Sequence, residues 1–274
     1  MHQHTTPSSR MSLWEHDPHG QFALEQERHF LLQMTSTWRR RQRTMLYVEC
    51  GTGGFLECLW EAGFDVSATA SNTGDLRKAR TRTGSRAELF LSQPDLLPFE
   101  DRSYDYVLLV TTLNYCSSPR DVLQEAARVC AKELLITFLN KYSLYACSQL
   151  ISRSSHPIRW WSWLSMRTFI KQGLGPRPLC TYGGILPGPY ISWQPKPLSG
   201  SLNTLLCPNT FGAYCGLSLD MTTDPVRPLL PAWVHQQPKP STPCSPRIRI
   251  SSPPPISHSM SCVKEAIPPG YLQP

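Results

Sequence analysis

A glycine-rich turn near the start of the chain is the segment best suited to hold a ligand. Residues 46–55 read LYVECGTGGF, which indicates a strand, a tight turn and then the start of a helix. Such a turn needs glycine because it requires positive φ, and because a side chain would keep the backbone away from a ligand. The sequence therefore predicts a ligand site at the carboxyl edge of a sheet.

The elements that would position this turn alternate between strands and helices. Helices are predicted at 20–34, 54–62, 75–80 and 119–130, and strands at 45–48, 65–70, 88–91, 104–110 and 132–138. Ser118 is expected to be the N-cap of the helix at 119–130, with Pro119 at its first position and Asp121 in its first turn. Each parallel crossover needs a long connection, so five alternating strands imply a parallel sheet with helices on both faces.

The remaining periodic segments complete the predicted sheet. Helical segments are expected near 141–153 and 164–173, and extended segments at 177–181 and 211–220. The last of these alternates apolar and polar residues, which is typical of a half-buried strand. The predicted fold class is therefore α/β, a doubly wound and mostly parallel seven-stranded sheet with a terminal antiparallel strand pair.

Composition divides the chain into three parts. The 274 residues suit one domain with extensions. Thirteen of the 26 prolines lie between Pro225 and Pro274, where almost no amphipathic periodicity remains. We therefore expect an N-terminal extension at 1–19, a domain at 20–222 and a Pro-rich disordered tail at 223–274. The domain would have a ligand-binding half at about 44–139 and a second half at about 140–222.

Several classes of protein do not fit the sequence. No apolar run approaches the roughly 18 residues of a transmembrane helix, and no secretory signal opens the chain, so a cytoplasmic location is expected. The ten cysteines form no CxxC pair, which favours reduced structural thiols over disulfides or a metal site. The net charge of +7 comes partly from the Arg39–Arg43 cluster, and basicity alone does not indicate nucleic-acid binding.

In this context the glycine turn resembles the cofactor loop of class I S-adenosylmethionine-dependent methyltransferases, particularly the type 11 group. That loop usually reads Leu-(Asp/Glu)-Val-Gly-Cys-Gly-Thr-Gly, and further similar segments follow at the expected spacings: Gly63–Val66, Leu97–Asp105 and Pro119–Arg128. Together they cover about residues 44–139. The resemblance implies a Rossmann-like methyltransferase fold and S-adenosylmethionine as cofactor. It implies that cofactor-binding residues include Glu49, Cys50, Gly51, Thr52, Gly53, Gln93 and Thr111.

The chain departs from the family pattern at several of these positions. The family usually has an acid at 47, a glycine at 49 and a ribose-binding acid at the end of the second strand, where this chain has Tyr47, Glu49 and Ala70. Gln93 stands where an Asp is common, and Pro94 removes a backbone donor. Each lost charge-assisted hydrogen bond costs about 1.5–3 kcal/mol. Glu49 either supplies a displaced acid or obstructs the cofactor, and both interpretations stay open.

The acceptor side of the site is less defined. Asn114 and Tyr115 follow the fourth strand, where this family meets its methyl acceptor, and they are the catalytic candidates; a turn former and a packing residue are the alternative interpretation. They lack the Pro-Pro of the Asn-Pro-Pro-Tyr motif, which argues against planar amino groups of nucleic acids or glutamine amides as acceptors. The histidines at 16, 19 and 29 are candidate bases on a lid, and surface positions are the alternative interpretation. The tryptophans at 160, 161 and 163 are a candidate cap on an apolar substrate, and core packing is the alternative interpretation.

The sequence supports two functional hypotheses, which belong to different classes of protein. The first is an S-adenosylmethionine-dependent methyltransferase that acts on a small-molecule acceptor. The second is a degenerate methyltransferase fold without catalysis, which acts as a binding or scaffold module or has no function. A nicotinamide oxidoreductase shares the glycine turn, but the Leu97-Pro98-Phe99 block and the terminal antiparallel pair favour the methyltransferase pattern.

Overall fold

The computed structural model describes residues 17–151, 158–185 and 212–223, and all of these belong to one compact unit of the chain. The helices are α1 Pro18–Met34, α2 Leu56–Glu61, α3 Thr73–Thr83, α4 Thr112–Tyr115, α5 Pro119–Val129, α6 Leu144–Ile151 and α7 Trp163–Leu174. The strands are β1 Thr44–Tyr47, β2 Asp65–Ala70, β3 Ala87–Leu91, β4 Tyr104–Val110, β5 Cys130–Leu139, β6 Leu179–Ile185 and β7 Tyr214–Asp220.

The seven strands form one sheet in the order β3-β2-β1-β4-β5-β7-β6. Strands β1 to β5 run parallel, and β7 lies antiparallel to both β5 and β6. The prediction of a doubly wound, mostly parallel seven-stranded sheet with a terminal antiparallel pair is confirmed. The strand order reverses between β1 and β4, and in sheets of this type a ligand binds beside that reversal, at the carboxyl ends of the strands.

The central strands are apolar because both of their faces are covered by helices. Leu46 and Val107 belong to the buried cluster on one face, whereas Tyr47 and Leu108 belong to the cluster on the other. Strands β1 and β4 pair directly, and the partners Leu46 with Val107 and Tyr47 with Leu108 lie side by side. This register aligns the ends of the two strands, which fixes the turns that follow them.

Helix α5 forms at the predicted place, but no side chain caps its first turn. It begins at Pro119 and ends at Val129, close to the predicted bounds, and it buries Val122, Leu123 and Ala126. Ser118 is the N-cap residue as predicted, but its side chain makes no capping hydrogen bond. Pro119 at the first helical position has no N–H group that would need a partner.

Two expectations lie outside the described residues: the N-terminal extension up to residue 16 and the Pro-rich tail from residue 224. Across the described ranges, no helix combines the length and the apolar character that crossing a membrane requires.

Candidate functional site

The turn after β1 is held by the neighbouring strands through backbone hydrogen bonds. The amide of Val48 donates to the carbonyl of Leu108 on β4 at 3.0 Å, and the amide of Cys50 donates to the carbonyl of Thr69 on β2 at 2.8 Å. Positive φ angles occur at Glu49 (58°), Gly51 (56°) and Gly53 (78°). The turn therefore lies at the carboxyl edge of the sheet, as predicted, with its conformation fixed from both sides.

Gly53 is required by the helix that packs on the turn. A Cβ atom at this position would lie 3.0 Å from the Cβ of Ala79 on α3 and 3.1 Å from Cδ1 of Leu56 on α2. A side chain there would require these atoms to shift by a few tenths of an ångström, and the φ of 78° also favours glycine. Helix α3 therefore contacts the turn directly.

Glu49 occupies a position where the backbone conformation suits glycine, and its side chain is 3% exposed. Its Oε2 accepts from the Ser71 amide at 3.0 Å and its Oε1 accepts from the Ser71 hydroxyl at 2.8 Å. Burial raises the pKa of Glu49, the hydrogen bonds from Ser71 lower it, and the charge of Asp75 raises it. The contact places a carboxylate at the end of β2, next to the buried Ala70.

Asp75 is a site residue that the sequence reasoning missed. It lies in the first turn of α3, it is 4% exposed, and its Oδ2 has no hydrogen-bond partner in the described part of the chain. Its charge acts on both Glu49 and Cys50. An acid in a first helical turn ordinarily indicates only a favourable interaction with the helix dipole. The periodicity of Asp75, Ala79 and Thr83, all buried, is the signal that could have identified it.

The residues after β4 are fixed against β1 and β5. Thr111, which is 1% exposed and has a φ of 54°, donates its amide to the carbonyl and hydroxyl oxygens of Thr137, each at 3.1 Å. The hydroxyl of Thr112 donates to the carbonyl of Val48 at 3.2 Å. The structure therefore brings the predicted residue Thr111 to the same edge as the glycine turn.

The other predicted cofactor residues differ in exposure. Cys50 and Thr52 are buried, and burial raises the pKa of the Cys50 thiol to about 12, so that it is not a nucleophile at neutral pH. Gln93 follows β3, two strands away from β1, and its side chain is exposed. Its carbonyl accepts from the amide of Leu96 at 3.2 Å.

Asn114 uses both ends of its side-chain amide to hold the backbone. Its Nδ2 donates to the carbonyl of Arg159 at 2.7 Å, and its Oδ1 accepts from the amide of Leu139 at 3.2 Å. The residue is 1% exposed. Tyr115 is partly buried and packs against the core cluster that contains Tyr47. These contacts favour the structural interpretation of Asn114.

The tryptophan segment packs against the fold. Trp161 donates its Nε1 hydrogen to the carbonyl of Leu113 at 3.1 Å, and its ring lies 4.8 Å from that of Phe169. The ring of Trp160 lies 5.9 Å from that of Tyr145. The packing interpretation accounts for these contacts.

Of the three histidines considered as bases, only one can be placed. His29 lies on α1 with its Nε2 3.4 Å from a carboxylate oxygen of Glu25 on the same helix, and both side chains are exposed. His16 and the side chain of His19 fall outside what the structure describes. No contact links His29 to the turn at 49–53 among the described residues, so its proposed role on a lid stays a prediction.

Comparison with known proteins agrees with this geometry. A family model described as a methyltransferase domain matches residues 46–136. No curated protein sequence matches the chain.

Solved structures with the same fold come from several organisms. A methyltransferase from Thermotoga maritima, described as a possible histamine N-methyltransferase, is 18% identical over 74% of this chain and 91% of its own, with a TM-score of 0.54. Magnesium protoporphyrin IX methyltransferase from Synechocystis, solved with bound S-adenosylhomocysteine, is 11% identical over 77% and 93%, with a TM-score of 0.57. A methyltransferase from Aquifex aeolicus is 16% identical over 79% and 100%, with a TM-score of 0.55.

At these identities the solved structures show the fold alone, and the family model shows which segment of the chain the similarity covers. Residues 46–136 therefore match the methyltransferase-domain model, and the chain shares its fold with these solved methyltransferases.

Proposed function

We propose that this protein transfers a methyl group from S-adenosylmethionine to a small-molecule acceptor. The observation that carries the proposal is the glycine turn at 49–53, which lies at the reversal of strand order inside the segment matched by the methyltransferase family. Ligands of doubly wound sheets bind at this place.

The residues around the turn are compatible with an adenosyl cofactor. Gly51 presents only backbone there, so a ligand can approach closely, whereas Gly53 is needed for the packing of α3. Beside the turn, the buried Oδ2 of Asp75 has no donor among the residues that the structure describes. An adenosyl group carries hydroxyl and amino donors, which a buried acceptor of this kind needs.

The chain's own part in the reaction is to bind and to align. S-adenosylmethionine supplies a methyl group that its sulfonium already activates, so that the protein mainly has to hold the two reactants in line. The turn at 49–53 and Thr111 form the edge on which the cofactor would lie. Asn114 holds the backbone of Leu139 and Arg159 beside that edge, and we infer that it positions the acceptor side rather than takes a proton.

The hydrogen bonds of the Asn114 side chain also support a small-molecule acceptor. Both ends of its amide are engaged by backbone groups, so that they are not available to bind a planar amino group. The sequence lacks the Pro-Pro that precedes Tyr in the motif used for such acceptors. Both observations argue against nucleobases and glutamine amides.

Isothermal titration with S-adenosylmethionine and S-adenosylhomocysteine tests the proposal. We expect both to bind with dissociation constants below 1 mM, which corresponds to about 4 kcal/mol. Transfer of labelled methyl groups to small molecules of a cell extract would then identify the acceptor class. A folded protein that binds neither compound at millimolar concentration would contradict the proposal.

The second candidate function is a binding module that has lost the cofactor. It is favoured by Ala70, which has no acceptor in its side chain, and by Glu49, whose side chain fills space at the end of β2. In that case the double variant Glu49→Gly, Ala70→Asp should gain an affinity for S-adenosylhomocysteine that the unmodified protein lacks. A folded double variant that does not bind would count against this account.

A further inference from the structure

A cavity between α7 and the strands β6 and β7 lies outside the proposed cofactor site. Its volume is about 390 Å³. Two of its lining residues, Leu179 and Leu219, pair with each other, and Leu219 also pairs with Leu134 in the amino-terminal half of β5. The glycine turn lies at the opposite edge of the sheet and follows β1, which is three strand spacings, about 14 Å, from β7. The cavity is therefore a separate feature of the fold.

The floor of the cavity is apolar. It is formed by the buried side chains of Ile170 on α7 and of Leu217 and Leu219 on β7. Leu164 lines the cavity near the start of α7, and its side chain is 72% exposed. Ligand cavities of this size are mostly apolar and carry a few charged or polar groups that orient the ligand.

Three cations line the same cavity. Arg167 and Lys171 lie on α7, where they share a face with Leu164 because the spacings are three and four residues. Both side chains are exposed. Arg177 lies between α7 and β6, and its Nη1 donates to the carbonyl of Thr223 at 2.7 Å. This hydrogen bond holds the guanidinium in place without neutralising its charge.

The three cations have no counter-ion in the part of the chain that the structure describes. None of them forms an ion pair there, and α7 contains no acid. Asp220 on β7 accepts hydrogen bonds from the hydroxyl and the amide of Thr222, at 2.5 and 2.7 Å. The bond from the Thr222 side chain is the main cause that lowers the pKa of Asp220, and the charge of Arg177 contributes least. A concave site with unneutralised positive charge attracts anions.

The rest of the chain supplies little negative charge that could match this site. Outside the described ranges the sequence contains eight Arg or Lys residues but only three acids, Glu15, Asp224 and Glu265. These segments are basic on balance, as the cavity is. Charge complementarity therefore favours an anion from outside the chain.

We propose that this cavity binds a small amphiphilic anion, a molecule with an apolar body and one carboxylate, sulfonate or phosphate group. The apolar body would lie on Ile170, Leu217 and Leu219, and the anionic group would pair with the cations that line the cavity. The site does not depend on the proposed methyl transfer, because none of its lining residues belongs to the glycine turn or to the segment that follows β4.

Fluorescence titration with 8-anilinonaphthalene-1-sulfonate tests the site. Its neutral analogue, N-phenyl-1-naphthylamine, measures the apolar contact alone. We expect the sulfonate to bind with one-to-one stoichiometry and more tightly than the neutral analogue. Raising the salt concentration from about 0.05 M to about 0.5 M should weaken binding of the sulfonate but not binding of the neutral analogue.

Variants locate the probe on the protein. The double variant Arg167→Gln, Lys171→Gln removes two exposed charges without changing the apolar floor, so it should weaken sulfonate binding about 10-fold and leave the neutral analogue unaffected. Thr168→Trp places a ring at an exposed lining position, so it should weaken binding of both probes. The matched control is Arg41→Gln, an exposed cation outside the cavity, and it should bind both probes as the unmodified protein does. Thermal melting shows whether each variant is folded.

Several outcomes would overturn the proposal. Equal sulfonate binding by the unmodified protein and the folded double variant would do so, as would equal affinity for the two probes. Displacement of the sulfonate by S-adenosylhomocysteine would place the probe at the cofactor edge instead. A protein that sediments with phosphatidylglycerol vesicles but does not bind the free sulfonate would indicate a lipid surface as the partner, which also contradicts a site for a small molecule.

Discussion

Replacing Gly53 by alanine tests whether α3 is pressed against the glycine turn. The new methyl group would lie 3.0 Å from the Cβ of Ala79 and 3.1 Å from Cδ1 of Leu56, in a backbone conformation with φ at 78°. Crowding of a packed core costs about 1–3 kcal/mol. The left-handed conformation costs a non-glycine residue about 1–2 kcal/mol more. We expect the free energy of unfolding to fall by about 2–5 kcal/mol.

A second glycine separates the two contributions. Gly84, at the end of α3, also has a positive φ, 58°, but a Cβ there would meet no atom within 4 Å. Gly84→Ala should therefore cost only the conformational part, about 1–3 kcal/mol, because its ψ of −121° lies in a region that other residues rarely adopt. A greater loss at Gly53 would show the contact between α3 and the turn.

Urea denaturation followed by circular dichroism gives the free energy of unfolding of both variants. The slope of this free energy against urea concentration should be the same for both. In thermal melts the extra cost at Gly53 should lower the Tm by about 2–4 °C for each kcal/mol. If Gly53→Ala is no more destabilising than Gly84→Ala, the contact described between α3 and the turn is refuted. The buried position described for Asp75 on the same helix would then be refuted as well.

Three further predictions concern charge and domain limits. The raised pKa of Glu49 means that its contribution to stability is complete below about pH 4.5 and is lost as the pH rises through the pKa of the folded protein. The urea midpoint of Glu49→Gln, relative to that of the unmodified protein, should therefore increase from pH 4.5 to 7.5. A difference that stays constant with pH would contradict this. Arg128 donates hydrogen bonds to Glu125, to Asp101 and to two backbone carbonyls. In urea denaturation, Arg128→Ala should therefore lower the free energy of unfolding by about 2 kcal/mol, whereas Arg120→Ala, at an exposed position, should lower it by less than about 0.5 kcal/mol. Equal losses in the two variants would refute the role of Arg128. Truncation after Asp224 should leave the Tm and cofactor affinity nearly unchanged in calorimetry, and a drop of more than about 5 °C would show that the tail packs on the domain.

The sheet could be predicted from the sequence because its strands are short apolar runs between helices with clear ends. The bounds of β2 and β4 agree with the prediction, since Asp65 and Tyr104 begin these runs and Ala70 and Val110 end them. The glycine turn could also be placed, because its residue types leave few other conformations. These features depend on neighbours in sequence.

The charged part of the site could not be predicted, because it depends on contacts between distant segments. Glu49 and Ser71 are 22 residues apart, and only the pairing of β1 with β2 brings them together. Asp75 is buried because α3 packs on the turn and not because its own helix is apolar. Tyr47 fills the core at a position where the resemblance expects an acid, which local sequence rules cannot anticipate.

The place of β7 in the sheet has a consequence for how the chain folds during synthesis. The strand lies between β5 and β6, although it follows both of them in sequence. Until residues 214–220 leave the ribosome, β5 has one open edge and β6 has no partner among the described strands. Open strand edges promote aggregation, so a nascent chain that ends before β7 would depend on chaperones, even with the whole glycine turn already made.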